Sequence, residues 1–210
     1  MTTRQPQIPT PSNNSGGVFN IFLGKSGSGK TYFMVQLIKK FYAKEFDRII
    51  IYAPEYYSER NKSNYQTLRG LPTQIVLCTY FKKEEVEKII TKTPYYQTGG
   101  SRTLLIFDDC VKHFTKYLRH DDNFLSNIAM NGKHRGISCF ILSQSLKNIG
   151  TTLRTSITAV FLFKTNYVME VEKYADFTAL SKKQFKEIYI KKVWDLHGYP
   201  YLAIIDGVIC

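Results

Sequence analysis

Eight consecutive residues, Gly24, Lys25, Ser26, Gly27, Ser28, Gly29, Lys30 and Thr31, satisfy G-x-x-x-x-G-K-[ST] in full. Glycines let a backbone curl until successive N–H groups aim at one anion, and a side chain at Gly24, Gly27 or Gly29 would obstruct that curl or its ligand. Lys30 is spaced to reach the β- and γ-phosphates of a nucleoside triphosphate, and Thr31 to offer its hydroxyl to Mg2+. A helix starting there adds the positive end of its dipole. The candidate ligand is ATP with Mg2+.

A metal-bound triphosphate also needs an acidic residue facing the loop. Leu104, Leu105, Ile106 and Phe107 run directly into Asp108 and Asp109, which puts two carboxylates at the C-terminal end of a predicted strand, where open α/β sheets bind ligands. Asp108 is the candidate metal ligand and Asp109 the candidate general base for an attacking water. A third run, Arg135 to Gln144, reads as a strand with a cation at its entry and an amide at its exit. Gln144 then shares the edge of the phosphate loop and is a candidate for sensing the terminal phosphate or orienting water. Arg135 falls at the far end of a strand roughly 20 Å long, so it can serve only a neighbouring subunit's site.

These side chains need a frame that brings three strand ends together. Val18 to Leu23 is short, mostly apolar and followed by glycine, as a buried strand should be. Gly29 to about Lys44 is helical in period, with Phe33, Met34, Leu37, Ile38, Phe41 and Tyr42 on one stripe and Lys39, Lys40 and Lys44 off it. Apolar runs at Ile49 to Ala53, Ile75 to Thr79, Thr103 to Phe107, Ile137 to Leu142 and Ala159 to Phe163 do not alternate, which suits parallel strands covered on both faces. Helices are predicted at Lys82 to Thr91, Val111 to Leu118, Asp122 to Lys133, Leu146 to Arg154, Tyr167 to Tyr174 and Ser181 to Val193, with an edge strand at Tyr201 to Asp206. Alternating β and α predicts a doubly wound, mainly parallel α/β sheet with right-handed crossovers and helices on both faces. Residues 1–17, rich in Thr, Pro, Asn, Ser and Gly, read as a mobile tail. Residues 18–210 read as one domain, with a core to about 165 and an extension over 166–210.

The 210 residues are 43% hydrophobic and 22% charged, which provides for one core and excludes disorder. A net charge of +12 favours a polyanionic partner, nucleic acid first. Cys78, Cys110, Cys139 and Cys210 form no C-x-x-C pair, which speaks against a zinc cluster or disulfide framework and for a reducing compartment. With no signal-like opening and no stretch near the ~20 apolar residues that span a bilayer, a soluble, unsecreted protein without a membrane span is expected. Lys112, Lys116 and Arg119 share a helical stripe just past the acids and are candidate contacts to DNA phosphates. The pairs Tyr56-Tyr57 and Tyr95-Tyr96 offer stacking faces for single strands, which ranks below duplex binding.

The phosphate loop, the run Ile106 to Asp109, and His134 to Ser138 followed by Leu142 to Ser145 together resemble the FtsK–HerA superfamily of DNA-pumping ATPases. Within it they are most similar to the genome-packaging ATPases of poxviruses and related large or archaeal double-stranded DNA viruses. The resemblance covers roughly residues 18–163. It implies a RecA-like P-loop NTPase fold, an arginine finger at Arg135 for the adjoining subunit and a sensing glutamine at Gln144. It further implies a homo-oligomeric ring, pentamer or hexamer, that moves double-stranded DNA without sequence preference towards a capsid protein. The expected setting is the host cytoplasm or viral factory, in association with the virion. Much of the superfamily has glutamate where this chain has Asp109, and the tail from Asn166 to Cys210 matches no motif. Two other readings share the phosphate loop. A small-molecule kinase would want an arginine-rich lid, for which Arg154 alone is available, and a nucleic-acid-binding scaffold would keep the nucleotide site as a structural feature.

Overall fold

β-branched and aromatic residues crowd six short runs, and all six pair in parallel: β1 (Phe19–Leu23), β2 (Arg48–Tyr52), β3 (Gln74–Cys78), β4 (Thr103–Asp108), β5 (Ile137–Ser143) and β6 (Ala159–Phe163). Two further strands, β7 (Tyr201–Ile205) and β8 (Val208–Ile209), continue the sheet antiparallel, in the order β3-β2-β4-β5-β1-β6-β7-β8. The computed structural model describes residues 7–12, 17–54, 56, 59–93, 101–110, 124–145, 151–166 and 168–210. Every residue of β1, β4, β5 and β6 is buried, so these strands can be apolar on both sides because both sides are covered.

One face is covered by α1 (Lys30–Leu37), its π-helical continuation Ile38–Tyr42, and α2 (Glu59–Gln66). Met34, Leu37, Ile38, Tyr42 and Tyr65 there meet Phe22, Ile49, Ile51, Phe140 and Phe161. The opposite face carries α3 (Lys83–Lys92), α4 (Phe124–Asn131), α5 (Thr151–Arg154), α6 (Val168–Val171) and α7 (Lys182–Tyr189) over Ile21, Leu105, Phe107, Cys139 and Leu162. Helices thus cover both faces, as expected. α7 starts on a full capping box, Ser181 with Gln184.

Three features depart from expectation. Phe41, assigned to the buried stripe, is 36% exposed, because the turn after Leu37 is π-helical and brings Tyr42 rather than Phe41 back under Leu37. The strand at Tyr201 is not an edge. It pairs with β6, and a two-residue turn at Asp206 and Gly207, both at positive φ (49° and 79°), returns the chain as β8. α2 is unexpected from the sequence, since Tyr65 alone interrupts an otherwise polar run and no apolar stripe forms. The helix expected at Val111 to Leu118, with Lys112, Lys116 and Arg119, lies outside the described residues, as do residues 146–150 and Tyr57, Tyr95 and Tyr96.

Part of the expected tail lies against the domain. Pro9 and Pro11 are buried, the Tyr42 hydroxyl donates to the Pro9 carbonyl at 2.5 Å, and Ser12 Oγ donates to Glu45 at 2.6 Å. On the same face Phe22 is fully buried at the centre of the sheet, its ring centroid 4.9 Å from that of Phe161 and 5.5 Å from that of Phe140. Phe22→Ala is expected to lower stability by about 3–5 kcal/mol, read as a large drop in thermal midpoint; a loss under about 1 kcal/mol would mean that this aromatic cluster is not the core it is taken for.

Candidate functional site

β1 delivers the phosphate loop to the carboxyl edge of the sheet, and the neighbouring strands anchor it there. Gly24 N–H donates to the Ser143 carbonyl of β5 (3.2 Å), and Lys25 N–H to the Lys164 carbonyl just past β6 (2.7 Å). Gly27 and Gly29 stand at φ 74° and 95°, left-handed backbone that a side chain disfavours. Gly24 is needed for room instead, because a Cβ there would lie 2.7 Å from Cβ of Phe163 and 2.9 Å from Oγ of Ser28. On the far flank Tyr199 lies against Gly29, its Cβ 2.9 Å from where a Gly29 side chain would begin. Lys25, Ser26 and Gly27 form the exposed tip of the loop, while Ser28, Gly29 and Lys30 are buried.

Lys30 opens α1 at 5% exposure and donates to the carbonyls of Gly24 (2.8 Å) and Lys25 (3.0 Å). Burial pulls its ammonium below the usual lysine range, and Asp109 and then Asp108 pull the other way. The lysine is therefore held at the loop between its own carbonyls and two acids.

Asp108 ends β4 and is 4% exposed. Its Oδ2 accepts from Thr31 Oγ1 at 2.9 Å and from the Tyr65 hydroxyl. Its Oδ1 is buried and has no hydrogen-bond partner among the described residues. Burial raises this carboxyl to about 6, Asp109 adds to the rise, and the hydroxyls of Tyr65 and Thr31 with the Lys30 charge oppose it. Tyr65 escaped the sequence reading because it sits on α2, where no apolar stripe announces an inward face; only the approach of α2 to the end of β4 reveals it.

Asp109 is half-buried at φ 50°, and its N–H donates to the Leu142 carbonyl at 3.3 Å. Aspartate tolerates left-handed backbone better than most residues, and the twist breaks strand alternation so that two successive carboxylates both act on Lys30. Gln144 is exposed one residue past β5, in a turn closed by Ser145 N–H on Ser143 Oγ (3.3 Å). Since β5 runs between β4 and β1, Gln144 emerges between the acids and the phosphate loop. Arg135 does not join them. It stands at the opposite edge, half-buried, donating from Nη1 to the Thr93 carbonyl (2.8 Å) and the Thr91 carbonyl (3.5 Å) at the end of α3.

The residues present fit a triphosphate and a hard divalent cation. A glycine nest with no room for a side chain receives an anion, and a threonine hydroxyl beside a carboxylate with one orphaned buried oxygen is an oxygen donor set of the kind Mg2+ takes together with phosphate oxygens. Cys110 takes no part: its thiol is buried and donates to the Tyr52 carbonyl at 3.1 Å. No helix among the described residues is long and apolar enough to cross a membrane.

Uncharacterized protein 015R of Frog virus 3 (isolate Goorha) is 24% identical over 184 residues, which is 83% of this chain and 54% of that protein. The chain thus spans about half the length of the curated relative it matches. Among solved structures, the genome packaging NTPase B204 from Sulfolobus turreted icosahedral virus 2 in complex with ATP-γS superposes with a TM-score of 0.62 at 17% identity, covering 93% of this chain and 96% of that one. The DNA-packaging ATPase B204 from Sulfolobus turreted icosahedral virus gives 0.64 at 18% identity over 92% and 95%. Both share the mixed, mostly parallel P-loop NTPase sheet described above. Residues 16–210 match the sequence profile of the Poxvirus A32 protein family, a span that takes in the phosphate loop, both strand-end acids and the C-terminal strands, and the chain belongs to that family.

Proposed function

We propose that this chain is an ATP-hydrolysing motor subunit that drives double-stranded DNA into a viral capsid. The reading is carried by one apposition: the Thr31 hydroxyl meets the buried Asp108 carboxylate at 2.9 Å, beneath a glycine nest whose lysine lies beside two acids. B204, which has this fold, is itself a genome packaging NTPase and holds ATP-γS in its solved complex.

Lys30 would exchange the carbonyls of Gly24 and Lys25 for β- and γ-phosphate oxygens, and the N–H groups of Gly27 and of Gly29 to Thr31 would take the remaining ones. Thr31 and Asp108 would hold Mg2+, which neutralises the charge that develops on those oxygens. Asp109 accepts the proton of the attacking water, and Gln144 orients that water or senses the terminal phosphate. Arg135, at the opposite edge, supplies the pocket of the next subunit, so a ring of five or six copies is the working unit. A net charge of +12 suits contacts to duplex phosphates without base readout. The setting is the host cytoplasm or viral factory, with a capsid protein as the docking partner.

Hydrolysis of ATP by the assembled protein is expected to rise on adding duplex DNA, to lose that rise in high salt, and to fall about 10²–10³-fold in Lys30→Ala, which removes a principal stabiliser of phosphate charge. A wild-type rate indifferent to duplex would count against the motor, and undiminished turnover in Lys30→Ala against the site itself.

A further inference from the structure

The phosphate loop accounts for a triphosphate, but a nucleotide also carries a base, and nothing described so far receives it. The flank of the loop that faces β7 offers a surface of the right chemistry. Between the helical turn ending at Trp194 and the start of β7 at Tyr201, the chain passes through Asp195, Leu196, His197, Gly198, Tyr199 and Pro200. This segment is tied to the loop twice. Lys164, whose carbonyl accepts from Lys25 N–H at 2.7 Å, donates its Nζ to the Leu196 carbonyl at 2.5 Å. Tyr199 lies directly on Gly29, with Cβ, Cγ and Cδ1 all 2.9–3.0 Å from the position a Gly29 side chain would take.

The backbone fixes this tyrosine in place. Gly198 stands at φ 79° with nothing within 4 Å of its missing side chain, so glycine is there for its conformation and not for space. Pro200 follows and restricts Tyr199 to extended backbone. One residue later Tyr201 packs on Phe33 at 4.1 Å and on Phe163 at 5.7 Å, anchoring the start of β7 to α1 and β6. The foot of the Tyr199 ring is thus held while the residue as a whole remains 56% exposed. Tyr32, three residues past Gly29 on α1, is 53% exposed. Two large aromatic side chains, each more than half exposed beside an anion nest, suit a flat, weakly polar ring joined to a phosphate chain.

We propose that Tyr199 is the platform on which the base of a nucleoside triphosphate stacks while its phosphates occupy the loop. The inference rests on the nucleotide-site reading above and adds the part of the ligand that reading leaves unplaced. The loop binds the anion, and Tyr199 makes the ligand a nucleotide.

The test is a calorimetric titration of the full chain with two ligands: an ATP analogue whose β–γ bridge is a methylene, and inorganic tripolyphosphate, which has the charge without the base. The variants are Tyr199→Ala, Tyr199→Phe, and Tyr199→Leu, which keeps the atoms that pack on Gly29 but has no aromatic face. Base stacking on an aromatic side chain corresponds to about 5- to 150-fold in affinity. The expected result is a loss of that size for the ATP analogue in the Ala and Leu variants, none in the Phe variant, and tripolyphosphate binding within about twofold throughout. Wild-type affinity of Tyr199→Leu for the analogue would overturn the proposal, as would equal losses for both ligands, which would make Tyr199 a prop for the loop. If the wild type binds neither ligand, the nucleotide-site reading falls and takes this proposal with it.

Discussion

Assembled Arg135→Ala protein is expected to hydrolyse ATP about 10³-fold more slowly than wild type, or worse, while each subunit binds nucleotide as before. The geometry behind this is a separation. Arg135 precedes a seven-residue strand whose other end borders the phosphate loop, and roughly 20 Å of β5 keeps it from its own pocket. A purely structural role must be told apart from a catalytic one, because the guanidinium also caps the end of α3 through the Thr93 and Thr91 carbonyls. Losing that cap costs about 1–3 kcal/mol, which lowers the thermal midpoint without depending on assembly. Mixing separates the two. Lys30→Ala subunits have a spoiled pocket and an intact arginine, and Arg135→Ala subunits the reverse. Rings containing both should recover hydrolysis at junctions where a sound pocket meets a sound arginine; no recovery at any ratio would remove Arg135 from the neighbour's site.

The second large effect runs in opposite directions for activity and stability. Asp108→Asn should abolish hydrolysis, by about 10²-fold at least, and yet unfold at a higher temperature than wild type at pH 7.5 in chelator. The folded carboxyl sits at about 6 because it is buried, against ~3.9 in an unfolded chain. The folded state therefore holds the proton more tightly. Between about pH 4 and 6 it carries more protons than the unfolded chain, and stability falls as pH rises through that window. Above pH 6 the whole penalty, about 3 kcal/mol, is present. Asparagine keeps an oxygen for the hydroxyls of Thr31 and Tyr65 and has no charge to desolvate. The gap in midpoint between Asn and Asp proteins should thus narrow as pH drops from 7.5 towards 4. Tyr65→Phe, which withdraws a donor from the same oxygen, should destabilise at pH 7.5. A gap independent of pH, or an Asn variant less stable than wild type at pH 7.5, would contradict this account. The penalty is borne at the carboxylate proposed to hold the metal, where activity and stability are expected to conflict.

Residues 24–31, the acids at 108 and 109 and the helix-to-strand alternation were legible because each is a local pattern. An anion nest is built by consecutive N–H groups, and a strand buried on both faces declares itself in its own composition. Where the local pattern broke, the reading broke with it: a π-helical turn moved Phe41 outward, and α2 has no apolar stripe to read.

What the amino-acid order determined by itself was the inventory of glycine-loop, lysine and acidic groups and the parallel sheet that gathers them. The tertiary structure alone decided their state. That Asp108 shares one oxygen between Thr31 and Tyr65 and leaves the other unpartnered, and that Tyr199 lies on Gly29, depends on segments far apart in the chain. Burial and long-range contact set a carboxyl's proton affinity and a ring's position, and neither quantity is a property of neighbours in sequence.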